Sequence, residues 1–146
     1  MRTILVEKLN LYLSNLSIMY FKLHNLHWNV VGPQFKEVHT YLEDLYNEYA
    51  LKLDEVAETL KQVSQYPLGS MAKYLSNTTL NELDDRDYSV MKVVDILLSD
   101  ISHLKHQAQE LRYMALEDDF YPVVNLVEKH LTDYSQTMWF LFSIQK

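Results

Sequence analysis

The chain has 146 residues, 48% of them hydrophobic and 23% charged, with a formal net charge of −7. That length is expected to form a single domain, residues 1–146, with a substantial core. Cysteine is absent, which excludes disulfides, thiolate metal sites and thiol peroxidase chemistry, and the acidity disfavours phosphate-backbone binding while attracting cations.

The start, Met1 to Lys8, reaches charge too early for a secretory leader. No stretch approaches the roughly 18 apolar residues of a membrane span, so a cytoplasmic protein with no membrane partner is expected. Two glycines and three prolines leave little turn chemistry, which predicts long elements. Apolar positions recur at helical spacing from about Thr3 to Val30 and from about Gln34 to Val63. Gly32-Pro33 separates these helices and makes them antiparallel neighbours. The segment from Gln65 to Asp85 holds Pro67, Gly69 and the polar run Ser76-Asn77-Thr78-Thr79. It is long for a bundle loop and suits a crossover, with a short helix from Met71 to Leu75. A third helix is expected from about Arg86 to Leu116. After Glu117-Asp118-Asp119, Pro122 suits the first turn of a fourth, from about Tyr121 to Ile144. The fold class predicted is all-α: a ferritin-like four-helix bundle with a long crossover between its second and third helices.

On a helical wheel the second helix has three faces. Leu42, Leu45, Tyr49, Leu53, Val56 and Leu60 form the core stripe. His39, Glu43, Tyr46, Ala50, Asp54 and Glu58 fall on an adjacent sector, and Asp44, Glu48 and Glu55 on a third. Polar sectors are ordinarily solvated faces. Imidazole together with carboxylate, however, makes a hard-to-borderline donor set for iron, zinc or manganese.

The candidate ligands are His27, His39, Asp54 and Glu58. His39 and Asp54 are fifteen residues apart, about 22 Å along a helix, so no ion spans them within one chain. Hairpin folding brings His27 beside His39, while Asp54 and Glu58, one turn apart, can share an ion. Two subunits packed antiparallel about a two-fold axis would join each histidine pair to the other subunit's carboxylates, giving two equivalent sites. Ferritins with a centre inside one bundle use two Glu-x-x-His motifs, and this pattern is missing here. Asp100-Ile101-Ser102-His103 has the spacing but no counterpart and reads as surface polarity. His24 reads as a structural histidine, and His106 and His130 have no motif around them.

The run from Leu23 through His24-Asn25-Leu26-His27-Trp28-Asn29-Val30-Val31-Gly32-Pro33-Gln34 to Phe35 resembles the signature of the Dps family, mini-ferritins first described as DNA-binding proteins from starved cells. The likeness continues through His39, Tyr46 and Asp54-Glu55-Val56-Ala57-Glu58, and more weakly to Trp139. It implies a hollow dodecamer of four-helix subunits with ferroxidase sites at two-fold interfaces. His27 and His39 would come from one subunit, Asp54 and Glu58 from its neighbour.

The resemblance further implies a di-iron ferroxidase centre that oxidises Fe(II) with hydrogen peroxide, stores ferric mineral and protects against oxidative stress. Asp54 would hold the first ion, Glu58 would bridge, and Glu43 would reach a second. Trp28 is a candidate radical trap or an interface residue. Asp44, Glu48 and Glu55 are candidates for mineral nucleation, and Glu117, Asp118 and Asp119 for a three-fold pore. No basic tail is evident and the shell is acidic, so DNA binding is not expected. The rival readings are a non-catalytic structural bundle and a zinc-binding assembly protein, since zinc fits the same donors.

Overall fold

The computed structural model describes residues 1–146. Helix α1 spans Thr3–Asn29 and helix α2 spans Phe35–Gln62. They run antiparallel: Asn10 near the start of α1 meets Tyr66 and Leu68 just beyond α2, while His27 meets His39 at the opposite end. The turn between them needs left-handed backbone at Gly32 (φ 107) and Gln34 (φ 67), and glycine adopts the first of these without steric cost. Helix α3 covers Met71–Asn77, helix α4 Val90–Glu117 and helix α5 Tyr121–Gln145, with Pro122 in the first turn of α5. No helix is long and apolar enough to cross a membrane.

The expected ferritin-like bundle is therefore present, with a short helix in its crossover. Helix α4 begins four residues later than the apolar periodicity suggests. The reason is a two-residue parallel pairing between β1 (Val30–Val31) and β2 (Tyr88–Ser89), which takes Tyr88 and Ser89 out of the helix. Ser89 then caps α4 by accepting from the Lys92 backbone N–H at 3.2 Å.

Helix α1 is buried on every side along Tyr12 to Met19, because α2, α4 and the crossover all pack on it. Its polar residues are consequently bonded. Ser14 and Ser17 donate to the carbonyls of Asn10 and Leu13. The Asn15 carboxamide donates to Thr79 and Gln107 and accepts from the Thr78 hydroxyl and the Thr79 backbone N–H. This amide holds the long crossover in place. Replacing it by Ala leaves several of these groups unpaired, so Asn15→Ala should lower unfolding free energy by about 1–3 kcal/mol, measured by urea denaturation.

A second polar seam joins α1, α2 and α5. Lys52 is 2% exposed and its Nζ lies 2.6 Å from Asp133 and 3.4 Å from Glu48. His130 is wholly buried, with Nδ1 2.8 Å from the Tyr12 hydroxyl and Nε2 3.4 Å from Glu55. Burial, reinforced by the Lys52 ammonium, pushes the His130 imidazole down to about 4. In the unfolded chain the ring titrates near 6.5. Between these values the unfolded state binds a proton that the native state refuses, so the stability is full above about pH 6.5 and falls toward pH 4. Urea unfolding between pH 7 and pH 4 should show a loss of about 3 kcal/mol from this ring, and His130→Gln should flatten that part of the profile.

Candidate metal centre

His27 lies in the last turn of α1, where backbone carbonyls have no partner within the helix. His39 lies in the second turn of α2. Each imidazole donates from Nδ1 to the other residue's backbone carbonyl, His27 to His39 at 2.6 Å and His39 to His27 at 2.7 Å. A carbonyl only accepts, so both Nδ1 atoms carry hydrogen and the neutral rings keep their lone pairs on Nε2. The rings stack with centroids 3.7 Å apart and planes 12° apart. Phe35 stacks on His39 at 5.1 Å, and Tyr46 sets its edge against His27 at 5.3 Å. The hairpin thus presents two aligned nitrogen donors whose tautomer and orientation are set by backbone, the kind of outer support that metal-bound histidines require.

Glu43 is one turn beyond His39, with a carboxylate oxygen 4.0 Å from His27 Nε2. It is the chain's own acid at the histidine end. Asp54 and Glu58 are exposed on the same continuous helix, and neither is engaged by a cation of its own chain. They remain far from the imidazoles: fifteen residues of unbroken helix separate His39 from Asp54, about 22 Å of rise. No three His, Asp or Glu side chains of one chain converge on a common point. The structure therefore joins His27, His39 and Glu43 at one end of the hairpin and leaves Asp54 and Glu58 at the other.

The surroundings of other sequence candidates differ from expectation in part. Asp100 is not surface polarity: it lies 2.5 Å from the largely buried ammonium of Lys22. His103 accepts or donates to the Thr79 hydroxyl at 2.9 Å, and His106 is exposed. His24 stacks on Tyr46 at 3.8 Å, and burial, with the neighbouring His27, holds its imidazole below the ordinary histidine range. Glu48 pairs with Lys52, and Glu55 with Lys129 and His130, so only Asp44 of that acidic face is unpaired. Glu117 and Asp118 are tied to Arg2. Sequence periodicity missed Lys52 and His130 as interior residues, since a lone charged residue on a helix carries no sign of the partner that another element supplies.

A family model described as a ferritin-like domain matches residues 6–145. DNA protection during starvation protein 2 of Bacillus anthracis is 30% identical over 131 residues, covering 86% of this chain and 90% of that one. Among solved structures, antigen TpF1 from Treponema pallidum has a TM-score of 0.95 at 26% identity, covering 97% of this chain and 91% of that chain. Dps from Vibrio cholerae O1, described as a member of a broad superfamily of ferritin-like diiron-carboxylate proteins, has a TM-score of 0.93 at 27% identity, covering 97% and 89%. With the ferritin-like match running through almost its whole length and a relative of this similarity, the chain belongs to the Dps family of ferritin-like proteins.

Proposed function

We propose that this protein is an iron-storing mini-ferritin whose ferroxidase sites are completed by two subunits. The observation that carries the reading is the histidine pair: two backbone-oriented Nε2 donors with no second acid close enough in their own chain to finish a tetrahedral or octahedral shell. Asp54 and Glu58 supply what is missing if a second copy packs antiparallel on this hairpin. Exposed apolar side chains support such a contact. Trp28 and Leu51 are each 66% exposed; Trp28 follows His27, and Leu51 lies one turn before Asp54 on its flank. Solvating both is unfavourable, and a two-fold interface would bury them beside the ligands.

In this reading His27 and His39 of one subunit and Asp54 and Glu58 of the next bind Fe(II) as substrate. Two neutral imidazoles and two carboxylates put two negative charges around the ion, which favours the ferric product electrostatically. Asp54 holds the first ion, Glu58 bridges, and Glu43 reaches the second. Hydrogen peroxide takes one electron from each of two ferrous ions and, with two protons, leaves as two waters. The ferric product passes into the cavity of a dodecameric cytoplasmic shell, so ferrous iron and peroxide are removed together.

Anaerobic loading with Fe(II) followed by a peroxide pulse should give rapid ferric absorbance in the wild type and little in His39→Ala or Asp54→Ala. Subunits of the two variants, dissociated, mixed and reassembled, should regain part of the rate, because some interfaces then hold one intact site. Failure of the mixture to exceed either parent would overturn the shared site. Slow oxidation in the wild type with tight retention of zinc would instead favour a zinc-binding assembly, since these donors do not select iron by affinity.

The net charge of −7 opposes contact with a polyanion. Direct DNA binding is therefore not part of the proposed function. A gel-shift at low salt without divalent metal should show unretarded DNA, and a retarded band would refute this.

A further inference from the structure

The polar seam inside the bundle contains one tyrosine equipped to lose an electron and a proton together. Tyr12, Tyr49, Tyr134 and His130 are all buried, and their hydrogen bonds have a defined direction. His130 Nε2 faces a Glu55 oxygen at 3.4 Å; a carboxylate accepts, so Nε2 carries the hydrogen. The neutral ring then offers its Nδ1 lone pair to the Tyr12 hydroxyl, which donates to it at 2.8 Å. With that hydrogen committed, the Tyr134 hydroxyl must donate to the Tyr12 oxygen. The order of donation is Tyr134 to Tyr12 to His130 to Glu55, and Glu55 is held in turn by Lys129.

Removing an electron from a phenol sealed from water leaves an unsolvated cation unless the proton departs in the same step. Tyr12 has a neutral imidazole in place to take it, and the imidazolium so formed sits against the Glu55 carboxylate. Tyr49 lacks any such acceptor, for its hydroxyl has no hydrogen-bond partner at all. Position also matters. Fifteen residues separate His39 from Asp54, and fifteen separate His27 from Tyr12. Because His27 and His39 are paired across an antiparallel hairpin, Tyr12 lies level with Asp54, and Glu55 directly follows Asp54.

We propose that Tyr12 and His130 form a buried electron-donating pair that quenches one-electron oxidants arising at the Asp54 end of the hairpin. The assignment rests on the iron-oxidation reading given above. When one Fe(II) reduces peroxide by a single electron, it yields Fe(III), hydroxide and a hydroxyl radical. Tyr12 gives one electron to that radical, converting it to hydroxide, and gives its phenolic proton to His130 Nδ1. A second Fe(II) then returns an electron to the Tyr12 phenoxyl radical while the imidazolium returns the proton. The sum is two Fe(II) oxidised and one peroxide reduced to two hydroxides, with the protein restored.

The assembled protein, loaded with Fe(II), is mixed with peroxide, frozen within milliseconds and examined by electron paramagnetic resonance, with ferric absorbance followed in parallel. The wild type should show a tyrosyl signal coupled to isotopically labelled histidine nitrogen. The signal should be lost in Tyr12→Phe, reduced in His130→Gln and retained in Tyr49→Phe. If Tyr12→Phe does not assemble, the histidine coupling in the wild type decides the matter. A signal that survives Tyr12→Phe, a signal without histidine coupling, or ferric absorbance with no tyrosyl signal overturns the proposal. Absence of ferric absorbance would instead defeat the iron-oxidation reading. The pair is then tested on iron-free protein with flash-generated tris(bipyridine)ruthenium(III), where the same dependence on Tyr12 and His130 supports it and any other result overturns it.

Discussion

The reciprocal bonds between His27 and His39 are the constraint on which the rest of the site depends. Each ring is held by the carbonyl of the other residue, so the pair closes the hairpin and fixes both imidazoles in one operation. The net stabilisation per bond is modest, about 1 kcal/mol. Their larger effect is chemical: they assign the hydrogens, and they leave two Nε2 lone pairs facing the same region. The end of α1 supplies one acceptor because its last carbonyls have no helical partner. A helix end that would otherwise need solvent is therefore used to orient the His39 imidazole.

The interior of the bundle has no carboxylate to spare for a metal ion, which is consistent with placing the proposed centre on the outside of this hairpin. Carboxylates near the core are already matched by ammonium groups: Asp133 and Glu48 by Lys52, Asp100 by Lys22, and Glu55 by Lys129. Lys22 and Lys52 are themselves buried, and stripping the partner from such an ammonium leaves an uncompensated charge at a cost of about 3–5 kcal/mol. An ion entering here would have to displace Lys22 or Lys52, both of them buried. Asp54 and Glu58, by contrast, are exposed and unpaired by their own chain. The same seam holds His130 neutral and gives Tyr12 a proton acceptor, so the interior is polar without being a metal cage.

Much of this was readable in the residues, and the failures have specific causes. The second-helix wheel separates Leu42, Leu45, Tyr49, Leu53, Val56 and Leu60 as core; all are buried except Leu53, which is half-buried against the same cluster, and the period of 3.6 carries that information directly. The turn at Gly32-Pro33 announced the approach of His27 to His39. Helix α4 starts later than its apolar period implies, because the pairing of Tyr88 with Val30 joins segments fifty-eight residues apart, and no local pattern encodes it. Asp100 read as surface for the same kind of reason: its partner Lys22 comes from α1.

Sequence alone determined the helical class, the crossover and the hairpin turn, and it singled out the four residues proposed as ligands, because each rests on local period, turn chemistry or the arithmetic of rise per residue. It also determined that His39 and Asp54 cannot meet within one straight helix. Only the tertiary structure decided which imidazole nitrogen is free, that Lys52 and His130 are interior, and which tyrosine has a base beside it. Those properties depend on where α5 packs against α2 and on which carbonyls the turn exposes. They arise from contacts between elements distant in the chain, where burial and hydrogen-bond geometry, not residue type, set the chemistry.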